Sequence, residues 1–115
     1  MADVDQLITE WRTVPEVADQ LGTDVAKVRQ LLRERKLLAV RDRGVLKVPA
    51  AFVQGDAVLK GLPGTLTVLA DAGFSDDEAL RWLFTHDDSL PGSPVQALVE
   101  NRGTEVKRRA QALAF

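Results

Sequence analysis

The sequence predicts a mainly α-helical protein with one two-stranded β-hairpin, and three observations predict it. Apolar residues recur at i, i+3, i+4 and i+7 through most of the 115-residue chain. Helix-start and helix-stop residues punctuate those stretches. Only between Leu37 and Pro49 does the pattern shorten to β-prone runs, with Asp42-Arg43-Gly44 as the turn between them.

Each element follows in order. From Asp3 to Trp11, the residues Val4, Leu7, Ile8 and Trp11 make one apolar helical stripe. Thr13-Val14-Pro15-Glu16 is a capping box with proline in the first turn, where its missing N–H costs nothing. The helix it starts turns Val17, Ala18 and Leu21 inward and stops at Gly22, suited to a left-handed cap. Thr23 or Asp24 caps a second helix running to about Arg35, with Val25, Val28, Leu31 and Leu32 inward. Leu38–Val40 and Val45–Val48 form the hairpin strands, Pro49 ends the second, and Ala50 to Gln54 makes one helical turn. Pro63-Gly64 opens a helix containing Leu66, Val68 and Leu69 that closes at Gly73. Ser75-Asp76-Asp77-Glu78 is a second capping box, ahead of Ala79, Leu80, Leu83 and Phe84. Ser93-Pro94-Val95-Gln96 is a third, and a last helix from Thr104 to about Ala114 aligns Val106, Ala110, Leu113 and Ala114. Trp11 and Trp82 are expected in core or inter-helix packing rather than in a ligand-stacking role. Two helices around a glycine turn, followed by a hairpin, are the layout of a winged helix-turn-helix, assigned to residues 1–55. Residues 62–115 form a small helical C-terminal domain.

Composition narrows the function classes. A 45% hydrophobic, 28% charged chain is that of a globular protein. No apolar run reaches the roughly 18 residues of a membrane span, and the first 25 residues lack a basic-then-apolar export signal. A cytoplasmic, nucleoid-associated location is expected. Cysteine is absent, which removes disulfides, zinc–thiolate sites and thiol chemistry.

Charge is where the sequence speaks most directly. Residues 27 to 47 hold eight Lys and Arg against Glu34 and Asp42, a net +6 inside a chain of net charge −2. A local reversal of sign on that scale suits a polyanion, and duplex DNA is the first candidate. On the second helix the outward face presents Lys27, Arg29, Gln30 and Arg33: long donors for guanine edges or phosphates, and an amide able to pair with adenine. The plain alternative is an ordinary solvated face; the glycine-separated helix pair and the basic hairpin behind it argue for DNA. Arg41, Arg43 and Lys47 sit where a wing reaches a neighbouring groove or backbone. Charges that merely discourage edge pairing would not explain why Asp42 alone breaks the positive run near the turn.

Other polar clusters read as surface. His86 is the lone histidine, in Thr85-His86-Asp87-Asp88-Ser89, a loop without a ligand set for a metal. Asp76-Asp77-Glu78 complements a helix N-terminus, and Lys107-Arg108-Arg109 is read as a solvated face with charge suited to a helix C-terminus rather than as a DNA contact. There is no catalytic triad and no phosphate-binding glycine loop, so no catalytic residue, cofactor or metal is expected and the chain is not read as an enzyme.

Thr13, Glu16, Ala18, Leu21, Gly22, Val28, Arg29, Leu37, Ala39 and Arg41 resemble the excisionase-like branch of MerR-type helix-turn-helix proteins, with Arg35 where that family often has glycine. Glu78-Ala79, Arg81-Trp82-Leu83, Leu90, Gly92, Pro94, Leu98 and Gly103 resemble the C-terminal domain of Xre/ParS-type antitoxins, with Pro91-Gly92 in place of two glycines. Residues 10 to 115 as a whole are similar to a family of small actinobacterial winged-helix DNA-binding proteins. These resemblances imply a sequence-specific double-stranded DNA-binding protein acting as a transcriptional regulator. They also imply the alternative of an antitoxin-like interaction module, with a homodimer or partner protein bound through the C-terminal helices. The mycobacterial member of the family is a Ser/Thr kinase substrate, which implies such a kinase as a partner; its phosphosite lies N-terminal to the matched residues and is not carried over.

Overall fold

Capping chemistry sets most of the boundaries in the computed structural model, which describes residues 4–90 and 92–113. The chain runs α1 (Val4–Leu7), β1 (Trp11–Thr13), α2 (Val14–Leu21), α3 (Val25–Arg33), β2 (Val40–Asp42) and β3 (Val45–Pro49). A 3-10 turn (Ala50–Phe52) and the short strands β4 (Val53–Gln54) and β5 (Ala57–Val58) follow. Four helices complete it: α4 (Leu62–Asp71), α5 (Asp76–Phe84), α6 (Pro94–Val99) and α7 (Gly103–Ala112). No helix among the described residues is long and apolar enough to cross a membrane.

The expected two-stranded hairpin forms from β2 and β3, and a third strand, not expected from sequence, joins it in an antiparallel sheet of order β1-β3-β2. The third strand is Trp11–Thr13, read from sequence as a helix end; it pairs Trp11 with Pro49, Arg12 with Val48 and Thr13 with Lys47. The reason is local. Thr13 must hold an extended backbone (φ −74°, ψ 165°) to cap α2, so a helix reaching Trp11 would have one residue in which to unwind. Instead α1 stops at Leu7, and the expected start of that helix at Asp3 lies outside the described residues. The turn expected over 50–54 shortens to Ala50–Phe52, and a further hairpin forms around Gly55-Asp56.

The capping boxes of α2 and α5 form as read, on Thr13/Glu16 and Ser75/Glu78. The third is half formed: Ser93 Oγ accepts from the Gln96 N–H at 3.3 Å, but the Gln96 amide turns forward to Glu100 at 2.9 Å. Glutamine competes poorly for the cap when a carboxylate lies one turn ahead. α7 ends at Ala112 with Leu113 40% exposed, against the inward position expected for it, and Ala114 lies outside the described residues.

One apolar cluster runs from Ile8 through Val17, Val28, Leu37, Val48 and Phe52 to Leu66, Leu83, Leu98 and Ala110. Phe52 is its largest fully buried side chain and meets the half-buried Phe84 of α5, ring centroids 5.7 Å apart. Trp11 and Trp82 pack against this core, each half-buried. Trp11 lies in β1 rather than on a helix, and Trp82 stands beside the buried stripe of Ala79, Leu80 and Leu83 on α5. The radius of gyration, 13.5 Å, is that of a single body of this length.

Candidate nucleic-acid interface

α2 and α3 are joined at Gly22, whose φ of +69° lets the chain reverse at once. The Thr23 N–H reaches Ala18 O at 2.9 Å and the Gly22 N–H reaches Asp19 O at 3.2 Å, a Schellman closure. Asp24 rather than Thr23 caps α3, accepting from the Lys27 N–H at 2.8 Å. Val28 and Leu31 are buried beneath the helix. Burying that stripe forces Lys27, Arg29, Gln30 and Arg33 outward, and all four are exposed. Gln30 Nε2 donates to Glu34 Oε2 at 3.0 Å. That bond is the main reason the Glu34 carboxyl is held below its ordinary pKa. Half of the Gln30 amide's donor capacity is therefore engaged along the helix.

α3 ends at Arg33, with Arg35 outside it in the left-handed region (φ +57°). Lys36 N–H bonds Leu31 O at 2.9 Å and Arg35 N–H bonds Leu32 O at 3.1 Å, the same closure that ends α2. The Arg35 guanidinium then meets Asp76 at 2.7 Å, tying the end of α3 to the first turn of α5.

In the wing, β2 and β3 pair Val40 with Lys47, Arg41 with Leu46 and Asp42 with Val45. Arg43 (φ +52°) and Gly44 (φ +82°) form the two-residue loop, the positive-φ pair that matches strand twist. Paired residues share a sheet face. Arg41 therefore lies with Leu46, and its guanidinium donates to Gly44 O at 3.1 Å. Lys47 lies on the opposite face, half-buried, and pairs with Asp42 at 3.2 Å.

The structure brings Arg29 of α3 and Arg41 of the wing to one cleft of about 240 Å³, closed by the N-terminus of α2 (Thr13, Pro15) and the wing tip (Gly44, Val45). Lys27, Gln30 and Arg33 continue the exposed face of α3 beyond it, and Arg43 stands at the tip. Lys47 does not join the cleft. Among the described residues, Lys27, Arg29, Arg33, Arg41 and Arg43 form no ion pair. Sequence reasoning missed Val45, 46% exposed beside the tip, and the α2 N-terminus as a wall of the cleft. The capping box carried the signal for the second.

His86, in the loop after α5, is exposed, its ring nitrogen 3.0 Å from Asp88. No group of three His, Cys, Asp or Glu able to hold a metal occurs among the described residues.

Residues 2–53 match a family model described as the winged helix-turn-helix domain of the DNA-binding protein Rv2175c. Residues 59–114 match one described as the Rv2175c C-terminal domain of unknown function. The chain is 46% identical over 115 positions to the DNA-binding protein Rv2175c of Mycobacterium tuberculosis (strain ATCC 25618 / H37Rv), covering 89% of this chain and 79% of that one. The solution structure of Rv2175c superposes with a TM-score of 0.82 at 43% identity, covering 92% of this chain and 82% of that one. The chain belongs to the Rv2175c family of winged-helix DNA-binding proteins.

Proposed function

We propose that this protein binds double-stranded DNA sequence-specifically, laying α3 in the major groove and the wing against the adjoining backbone, and that it acts as a transcriptional regulator at the nucleoid. One observation carries this reading: two arginines from different elements, Arg29 and Arg41, converge on one cleft beside an exposed helix face whose cations form no ion pair among the described residues. Lys27, Gln30 and Arg33 reach base edges and flanking phosphates, while Arg41 and Arg43 hold backbone. Lys47 is assigned a lesser part, because Asp42 already neutralises it. The division of labour follows the chain, with residues 1–55 reading DNA and residues 62–115 supporting them.

Selection of bound sequences from a random duplex library, followed by fluorescence anisotropy at three salt concentrations, tests the reading. A recovered motif is expected, with log affinity falling by about 0.9 unit per unit of log salt for each phosphate neutralised. A flat salt response with no enriched motif would remove duplex DNA as the ligand.

A further inference from the structure

We propose that the C-terminal helices carry a second DNA-backbone contact, a cationic face made by Lys60, Lys107 and Arg108. It rests on the duplex-binding reading above and assigns a role to the C-terminal half. α4 and α7 pack against each other, with Gly61 just before α4 and Gly103 at the first position of α7. A Cβ on Gly61 would lie 3.0 Å from Leu98 Cδ2 and 3.6 Å from the Gly103 Cα, and the φ there is +87°. Beside them lies an open cleft of about 480 Å³ lined by Lys60, Gly61, Gly64, Asn101, Gly103, Thr104 and Lys107. Its floor is backbone, and Lys107 Nζ lies over Gly64, 3.9 Å from where a Cβ would stand there.

The charge around this cleft is sorted. Thr104, Lys107, Arg108 and Gln111 are exposed at i, i+3, i+4 and i+7, a helical stripe without a carboxylate. The acid of that helix, Glu105, is engaged by Arg102 at 3.7 Å and Arg109 at 3.4 Å. Lys107-Arg108-Arg109 is thus divided: Arg109 is spent on Glu105, while Lys60, Lys107 and Arg108 form no ion pair among the described residues. Residues 59–113 hold eight acidic and six basic side chains, a net charge of −2; within that acidic half Lys60 and Lys107 line the cleft and Arg108 continues the exposed stripe of α7, one turn beyond Thr104. Ammonium groups, a guanidinium, a threonine hydroxyl and bare backbone are what a phosphodiester chain contacts. No aromatic side chain lines the cleft to stack a base, so the contact is to the backbone and indifferent to sequence.

The test uses the full chain with Lys60→Gln, Lys107→Gln and Arg108→Gln combined, on the duplex selected above. The expected result is a salt slope shallower by about two to three units than wild type, with circular dichroism and thermal unfolding unchanged. In the wild type, duplex titration should shift the Gly61, Gly103 and Thr104 amide resonances. Salt-dependent wild-type binding with the same slope in the triple variant, and still amides at those positions, overturns this contact while leaving the α3 interface standing. Failure of the wild-type chain to bind duplex overturns both. Shifts produced by poly-glutamate but not by duplex would also overturn it, in favour of an acidic protein partner.

Discussion

Arg43 occupies a turn position where a left-handed backbone favours glycine or asparagine. Its φ of +52° carries a local cost of about 1–2 kcal/mol for a residue with a Cβ, and no ion pair among the described residues offsets it. A charged side chain retained at such a cost suits a backbone contact made by the wing tip. Arg43→Gly should raise thermal stability by about 1 kcal/mol while making the salt slope of duplex binding shallower by about one unit. Unfolding and anisotropy on the same variant check both halves. Gln30→Ala should cost about 1–3 kcal/mol on the preferred duplex and little on a scrambled one; equal loss on both would make Gln30 a backbone contact. The exposed face of α3 was legible because 3.6-residue periodicity assigns inside and outside directly. The face of Lys47 was not, because the register that sends Arg41 and Lys47 to opposite sides depends on where the strand begins. The sequence pattern places that strand at Leu38–Val40, and it lies at Val40–Asp42.

At the scale of elements, four turns end helices with the same left-handed closure, on Gly22, Arg35, Gly73 and Asn101. Three use residues that tolerate the geometry; Arg35 does not, and it is the one whose side chain reaches another element. Helix starts were legible to the residue wherever Ser or Thr preceded Glu by three, because the cap satisfies orphan N–H groups locally. Thr13→Ala should lower stability by about 1 kcal/mol, measured by denaturant unfolding. Glu16 and Glu78 have pKa values lowered from 4.5, chiefly by the backbone N–H groups of Thr13 and Ser75. A lowered folded-state pKa contributes stability that is present above the unfolded value and lost as pH falls through the folded one. Melting temperatures should therefore drop as pH falls below about 4.5, and less steeply in Glu16→Gln/Glu78→Gln. An acid limb identical in that variant would mean the boxes do not hold in solution. β1 was illegible for the opposite reason: its partners are Lys47, Val48 and Pro49, and no local signal reports a strand pairing made over such a distance.

Across the whole molecule, the reading helix is held by a core that does not stop at the hairpin. Phe52 against Phe84, and Arg35 on Asp76, join the first half to α5. The ion pair is partly exposed and worth at most about 1 kcal/mol; the buried ring carries the coupling. Phe52→Ala should cost about 3–5 kcal/mol and leave a single unfolding transition seen alike by circular dichroism and tryptophan fluorescence. Two separated transitions would show that the halves fold independently. Duplex binding through α3 and the wing is tested most directly by titrating the isotope-labelled full chain with its selected duplex and following the amide resonances. The expected result is that Lys27, Arg29, Gln30, Arg33, Arg43 and Gly44 shift most, with a weaker set at Gly61, Gly103 and Thr104. Shifts confined to α4–α7, with α3 and the wing tip unmoved, would contradict it.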